Sequence, residues 1–366
     1  MSTVTNGFHF YSTPEYLSDL AERISHVDSY GRVMIATMTF HPENPAIRKI
    51  LDELCAAARR GTTVTLLIDA KSFLLPGGQH SVGVIPGPLF FNVELPLRLK
   101  KRFKTILAAL EEIQDAGGNY KIINQPGRRF KNPIAGRSHI KFSVINDAVY
   151  TGGCNLDSDS HIDMMIGWQS LSVADWLVDL GSKIAETGSA RAAMVDRDMT
   201  LRVNEETELI VDAGVRGQSL IFHQALELID QAKDFLVISS QFFPNDVTAR
   251  HLLGAYKRGV NVQIFYNHPS QFDLPHNILH YSVVGKAKLN MPQSFFAYAQ
   301  RNKYLHAKLV VSENAAMIGS HNQVSIGVKL GTAEIDLLST DPEFGKQLLV
   351  TLRRQIDTAS PVPVKD

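Results

Sequence analysis

His139 and Lys141 stand two residues apart in HIKFSVINDAVYTGGCN, residues 139–155. His306 and Lys308 stand two apart in HAKLVVSENAAMIGSHN, residues 306–322. The stretches align without a gap over 17 columns at a constant offset of 167. His139 falls on His306, Lys141 on Lys308, Gly152 on Gly319, Gly153 on Ser320 and Asn155 on Asn322. An imidazole, an ammonium and an amide, each supplied twice, suit a phosphodiester. Ammoniums and amides neutralise the non-bridging oxygens as charge develops. One imidazole can attack phosphorus. The other can protonate the leaving oxygen, then deprotonate an incoming alcohol or water. A free imidazole titrates near ~6.5, so one neutral and one protonated ring can coexist near neutrality. Lysines supply the positive charge such a site needs, and no metal or cofactor is expected.

These groups must be held by repeated elements. In a strand, residues i and i+2 share a face, so each His–Lys pair projects together at the start of an apolar run, FSVI or LVV. A turn at Asn146-Asp147 or Glu313-Asn314 sends the chain back as AVYTGG or AAMIGS. That return brings Gly153 or Ser320, then Asn155 or Asn322, beside the His and Lys. A small residue there lets a ligand approach the backbone. The repeat extends upstream. VMIATMTF and FLVISSQFF read as strands. Helical patterns follow and end at Arg60-Gly61 and Arg258-Gly259, where glycine supplies a cap. VTLLID and VQIFY read as further strands. The alternation predicts a mostly parallel sheet covered by helices. The expected units are residues 1–195 and 205–366, linked near 190–207. The first carries an insert over 70–137, and SPVPVKD closes the chain as a frayed tail.

The pair HxK…GGxN and HxK…GSxN resembles the phospholipase D superfamily over roughly residues 30–340. The flanks NPAIRKILDELCAAARRGTTVTLLID and VISSQFFPNDVTARHLLGAYKRGVNVQI look most like its cardiolipin synthase and bacterial phospholipase branch. The resemblance implies an α/β fold of two similar α/β/α sandwich halves packed about a pseudo-twofold axis. It implies His139 as the nucleophile, forming a phosphohistidine, and His306 as the acid/base, with Lys141 and Lys308 beside them. Asn155, Asn322, Gly153 and Ser320 are the expected phosphate-binding positions. An acidic residue after each motif is expected to orient a His: Asp163 in HIDMMIG and Glu334 in GTAEIDLL. Two positions depart from the family pattern. Asn146 and Glu313 stand where the family has Asp, and the turn is one residue shorter.

Composition narrows the function classes. Lys plus Arg and Asp plus Glu are 37 each, so no global field draws nucleic acid or an anionic membrane. Cys55 and Cys154 form no CxxC pair, which fits a reducing compartment and no disulfide framework. The N-terminal residues lack a signal-peptide pattern, and no run reaches about 18 apolar residues. A cytoplasmic protein that meets a membrane only from its surface is therefore expected. The insert reads as a buried loop, or as an acyl-chain pocket or membrane-dipping loop built on Phe73, Leu74, Leu75, Leu89, Phe90 and Phe91. Arg98, Lys100, Lys101, Arg102 and Lys104, then Arg128, Arg129 and Lys131, suit anionic headgroups or a solvated helix face. Gln241 lines the site or holds a strand; Cys154 reads as a packed small residue.

Three functions remain. One is a phospholipid phosphodiesterase or phosphatidyltransferase, with a phospholipid substrate and an anionic membrane surface as partners. Another is a nuclease using the same site, which charge neutrality and the lack of an aromatic–basic stacking pattern disfavour. The third is an inert scaffold, motivated by the replaced acidic positions.

Overall fold

The computed structural model describes residues 3–5, 7–74, 97–125, 135–273 and 276–359. Leu75, Leu89, Phe90, Phe91, Arg128, Arg129, Lys131 and the SPVPVKD tail lie outside the described residues. So do the side chains of Leu74, Arg98 and Lys100.

The first sheet holds β1 (Thr3–Thr5), β2 (Phe8–Ser12), β3 (Arg32–Thr37), β4 (Thr63–Asp69), β5 (Asn119–Ile123), β6 (Phe142–Ile145), β7 (Ala148–Gly152) and β8 (Met164–Gln169). The second holds β9 (Met199–Arg202), β10 (Thr207–Asp212), β11 (Phe235–Ser239), β12 (Asn261–Asn267), β13 (Tyr298–Gln300), β14 (Leu309–Ser312), β15 (Ala316–Gly319) and β16 (Glu334–Ser339). Their orders are β5-β4-β3-β6-β7-β8-β2-β1 and β13-β12-β11-β14-β15-β16-β10-β9, so the halves share one topology. Among the described strands, only β3-β4-β5 and β11-β12-β13 pair in parallel. The sheets are therefore mixed, not mostly parallel as expected. The reason is local: β6–β7 and β14–β15 are joined by tight turns, which permit only antiparallel neighbours.

The described helices are α1 (Thr13–Ser25), α2 (Pro45–Arg59), α3 (Lys71–Leu74), α4 (Leu97–Asp115), α5 (Leu171–Thr187), α6 (Ala190–Ala193), α7 (Leu220–Gln231), α8 (Asp246–Lys257), α9 (His276–Lys288), α10 (Ser325–Leu330) and α11 (Pro342–Ala359). In α2, Ile47, Ile50, Leu51 and Leu54 bury one face. Asn44 caps its start, its side-chain oxygen accepting from the Ala46 N–H at 2.9 Å. The two helices before the second parallel strands end alike, with Gly61 at φ 96° and Gly259 at φ 95°.

Each half has a private core on its outer face, built with α1, α2 and α4 or with α7 and α8. A third core is shared. Met34, Phe142, Val144 and the buried face of α5 join Leu309, Val311, Ile335 and the buried face of α11 there. The Phe344 ring of α11 lies 5.4 and 5.1 Å from Phe8 and Phe10 of β2. The halves are thus packed as one body, because neither sheet covers its inner face alone.

The stretch expected as a link, 190–207, is structured. It contains α6 and β9, and β9 pairs with β10. Asp198 anchors it, accepting from the Ala213 N–H at 2.8 Å and the Leu220 N–H at 3.0 Å. No helix among the described residues is long and apolar enough to cross a membrane.

Candidate active site

His139 and Lys141 immediately precede β6, and His306 and Lys308 immediately precede β14. The expectation that the strands begin at the histidines needs correcting, for a physical reason. The His139 N–H donates to Ala333 O at 2.7 Å, and the His306 N–H donates to Ile162 O at 2.8 Å. Both acceptors belong to the other half. The Ala333 N–H donates back to Arg137 O at 2.9 Å, and the Ile162 N–H to Tyr304 O at 2.9 Å. Ser138 bridges Ala333, and Leu305 bridges Ile162, in matching parallel bridges. The segment before each motif is therefore paired with the segment before the other half's acidic residue.

This crossing sets the partners of the two imidazoles. His306 Nδ1 lies 2.5 Å from Asp163 Oδ2, and His139 Nδ1 lies 3.2 Å from Glu334 Oε1. The first is a hydrogen bond; the second is close enough for an ion pair but is not aligned as a hydrogen bond. Each acidic residue thus faces the histidine of the opposite half, and the symmetric arrangement leaves both Nε2 atoms for chemistry.

The small residues of the motifs serve these carboxylates. A Cβ on Gly153 would sit 2.1 Å from Asp163 Oδ1, so only glycine admits the aspartate this close. Ser320 occupies the matching place opposite the longer Glu334. Its hydroxyl donates to Glu334 Oε2 at 2.5 Å and accepts from the Ile335 N–H at 2.9 Å. Gly153 and Ser320 were expected to contact phosphate. Here they pack and hold the carboxylates, and the buried Ser320 hydroxyl is already engaged on both sides.

The lysines fold back on their own motifs. Lys141 Nζ donates to His139 O at 2.9 Å, and Lys308 Nζ donates to His306 O. Both are buried. Asn155 is buried beside Thr37, whose hydroxyl lies 3.5 Å from the amide oxygen. Asn322 is partly exposed; its backbone carbonyl accepts from the Ser240 hydroxyl at 2.5 Å, and its side-chain Oδ1 has no partner among the described residues.

Burial dominates the electrostatics. It lowers Lys308 to about 8 and lowers Lys141 as well. Burial and Lys308 lower His306 to about 4, against the pull of Asp163. Burial and the three nearby ammoniums of Lys141, Lys71 and Lys308 hold His139 well below the usual histidine range. The carboxylates diverge. Burial raises Glu334. Burial would raise Asp163 too, but His306 and Lys308 outweigh it and hold Asp163 low. Burial first, and lysine charge second, disfavour the protonated form of both rings, and a phosphate anion at the site would offset the lysine part.

Several site residues were not singled out by their sequence. Asp69, at the end of β4, accepts from the Ser138 N–H at 2.8 Å, the Lys71 N–H at 2.7 Å and Asn124 Nδ2 at 2.7 Å, and pairs with Arg137 at 3.2 Å. Asn267, at the end of β12, brackets Leu305: it accepts the Leu305 N–H at 2.7 Å and donates to Leu305 O at 2.6 Å. The two thus clamp the residue just before each histidine. Their equivalent places in VTLLID and VQIFYN were the available signal. Lys71, lowered to about 8 by burial, adds a third ammonium on the His139 side. His161 lies beside His306, its ring centroid 5.6 Å away, and His321 is buried near Glu334 and His139.

Other expectations resolve here. Gln241 Nε2 donates to the Tyr304 hydroxyl at 2.6 Å, so it supports the chain leading into His306. Cys154 is buried, a free thiol 3.4 Å from the Thr13 hydroxyl, and burial holds it protonated. Arg102 was expected to meet anionic headgroups or to lie on a solvated helix face; it is instead buried against His41. Its neighbours Lys101 and Lys104 are exposed. Asn146, at φ 55°, accepts from the Arg32 N–H at 3.1 Å, and Glu313 accepts from the Lys233 N–H at 2.8 Å and the Phe235 N–H at 3.4 Å. Both residues cap the start of the adjacent strand.

Comparison with known proteins extends the same pattern. A search of curated proteins returns no match. Among solved structures, phosphatidylserine synthase from Haemophilus influenzae Rd KW20 is similar at TM-score 0.70 and 15% identity, over 98% of this chain and 87% of that one. Polyphosphate kinase from Porphyromonas gingivalis is similar at TM-score 0.55 and 11% identity, over 95% of this chain and 50% of that one. At these identities the likeness is one of fold. The family model for "Cardiolipin synthase, PLD-like domain" matches residues 22–175 and 225–356, one match in each half. With both matches spanning the motifs and their crossed carboxylates, the chain belongs to the family of the cardiolipin synthase, PLD-like domain.

Proposed function

We propose that the chain is a phospholipid phosphodiesterase or phosphatidyltransferase working through a covalent phosphohistidine. The observation that carries the reading is the crossed pairing of His139 with Glu334 and His306 with Asp163, with a buried lysine behind each ring. His139 is the nucleophile. Burial leaves its ring neutral, and a neutral ring has the lone pair needed to attack phosphorus. His306 is the acid/base, because the ionised Asp163 stabilises the imidazolium that forms as it takes a proton. His306 takes up a proton from solvent as the phosphate anion binds; as His139 Nε2 bonds to phosphorus, the phosphorus–oxygen bond to the leaving alcohol breaks and the His306 imidazolium delivers that proton to the leaving oxygen. The second step reverses this with water or a new alcohol. Lys141, Lys308, Asn155 and Asn322 carry the charge of the non-bridging oxygens. Lys101 and Lys104 flank Phe103 on an exposed face of α4, and we read that face as an approach to an anionic membrane surface.

The test is turnover of labelled phosphatidylglycerol or phosphatidylethanolamine vesicles, with and without an added alcohol. Wild type is expected to release phosphatidic acid or a transferred phospholipid and to trap label on a histidine. His139→Ala is expected to lose at least about 10³-fold. An active His139→Ala protein, or DNA cleavage with no lipid turnover, would overturn the reading.

A further inference from the structure

We propose that His161, with Asp157 behind it, is a third imidazole of the site that binds the alcohol entering or leaving at His306. This rests on the reading above. His161 is buried, and its Nε2 has no hydrogen-bond partner among the described residues. A buried orphan nitrogen costs free energy, so it calls for a reason. Its ring centroid lies 5.6 Å from that of His306 and 5.3 Å from that of Tyr304. On its other side, Nδ1 lies 4.0 Å from Asp157 Oδ1, and Asp157 Oδ2 accepts from the Thr39 hydroxyl at 2.5 Å. Asp157 next to Nδ1 favours the proton there. Nε2 is then an acceptor, suited to an alcohol O–H.

The position follows from the loop between Asn155 and Asp163. At the matching place before Glu334 stands Thr332, so no histidine takes this position on the His139 side. His306 is committed to Asp163 through Nδ1, so the reacting alcohol oxygen meets its Nε2. A second hydroxyl on the same small molecule then reaches the neighbouring ring. Arg102 and His41 lie in the same charged cluster, since Asp157 acts on both. Asp157 and Glu43 act on Arg102, so the cluster carries both signs and the selection rests on the hydroxyl. His161 thus selects an alcohol with a second hydroxyl over a simple alcohol or water. It exchanges no proton with the substrate: His306 takes the alcohol proton while the alcohol oxygen bonds to phosphorus and the bond to His139 breaks.

Glycerol and 1-propanol share a carbon skeleton and differ in hydroxyl count, which makes them the probes. In phospholipid turnover, wild type is expected to prefer glycerol, and His161→Phe to lose about fivefold of that preference by raising the KM for glycerol. Transfer to glycerol should fall further than hydrolysis or transfer to 1-propanol, and His161→Asn, which keeps an acceptor, should recover part of the preference. An independent measurement follows the ring ¹⁵N resonance of His161 in the wild-type protein without lipid. Glycerol should shift it and 1-propanol should not, whatever the lipid turnover. An unchanged glycerol preference in His161→Phe, or an unshifted resonance with glycerol, overturns the proposal. A shifted resonance in a protein with no lipid turnover would uphold the alcohol site and discard the phospholipid reaction.

Discussion

At the residue scale, the site's central fact is that each imidazole borrows its carboxylate from the other half. His306–Asp163 at 2.5 Å is the shorter and better aligned pair. Asp163→Asn keeps the shape but removes the charge that stabilises the His306 imidazolium and fixes its tautomer. The expected result is a kcat loss on the order of 10³ with thermal stability retained, measured by steady-state kinetics beside a melting curve. A second prediction comes from Lys308, lowered by burial to about 8 in the ligand-free protein. Its ammonium is present below that value and is lost as pH rises through it. Sulfate keeps a constant charge over this range, so its affinity should be flat below pH ~7 and fall as pH passes about 8. Calorimetric titration across that range checks it; affinity that rises with pH would refute the lysine's role.

At the element scale, the hairpins β6–β7 and β14–β15 position the motifs, and their tips explain the two departures from the family pattern. Asn146 uses an amide oxygen to accept from the Arg32 N–H at the start of β3. Glu313 uses a carboxylate on the start of β11. The job at this position is an acceptor for an adjacent strand's free N–H groups, and either side chain provides one. Asn146→Ala should cost about 1 kcal/mol in a denaturation curve and leave kcat unchanged, while Asn146→Asp should be neutral in both. A large kcat loss in Asn146→Ala would place the residue in the chemistry. Asp69 and Asn267 act at the opposite ends of their strands, where they fix the backbone one residue before each histidine.

At the scale of the whole molecule, the shared core makes the two halves one folded unit. Residues of α5 and α11 pack against both sheets, and Phe344 of one half meets Phe8 and Phe10 of the other. Residues 1–195 alone would carry His139 but lack Glu334, and would expose the inner face of their sheet. That fragment is expected to be inactive and aggregation-prone, with activity regained when it is refolded with residues 205–366. Turnover by residues 1–195 alone would show that the crossed carboxylate is dispensable.

Much of this was legible in the residues themselves. The duplication predicted that the halves share one topology, because equal patterns of apolar runs, turns and glycine caps form equal elements, but not that their sheets are mixed. It also singled out His139, His306, both lysines and both asparagines, since a repeated polar group at an apolar strand's edge is rarely needed for folding; the family resemblance added Asp163 and Glu334. What the linear pattern could not assign was which acid serves which histidine. That depends on backbone hydrogen bonds between Arg137–His139 and Ala333, and between Tyr304–Ala307 and Ile162, which join residues far apart in the chain. The same limit hid the contacts that Gly153 and Ser320 make with the carboxylates, which follow the different lengths of Asp163 and Glu334. It hid His161 as well, because a single unrepeated histidine acquires meaning only when packing sets its ring beside His306. Sequence determined the groups, and tertiary structure decided their partners, because partnership across a pseudo-twofold interface is a property of packing that local spacing does not encode.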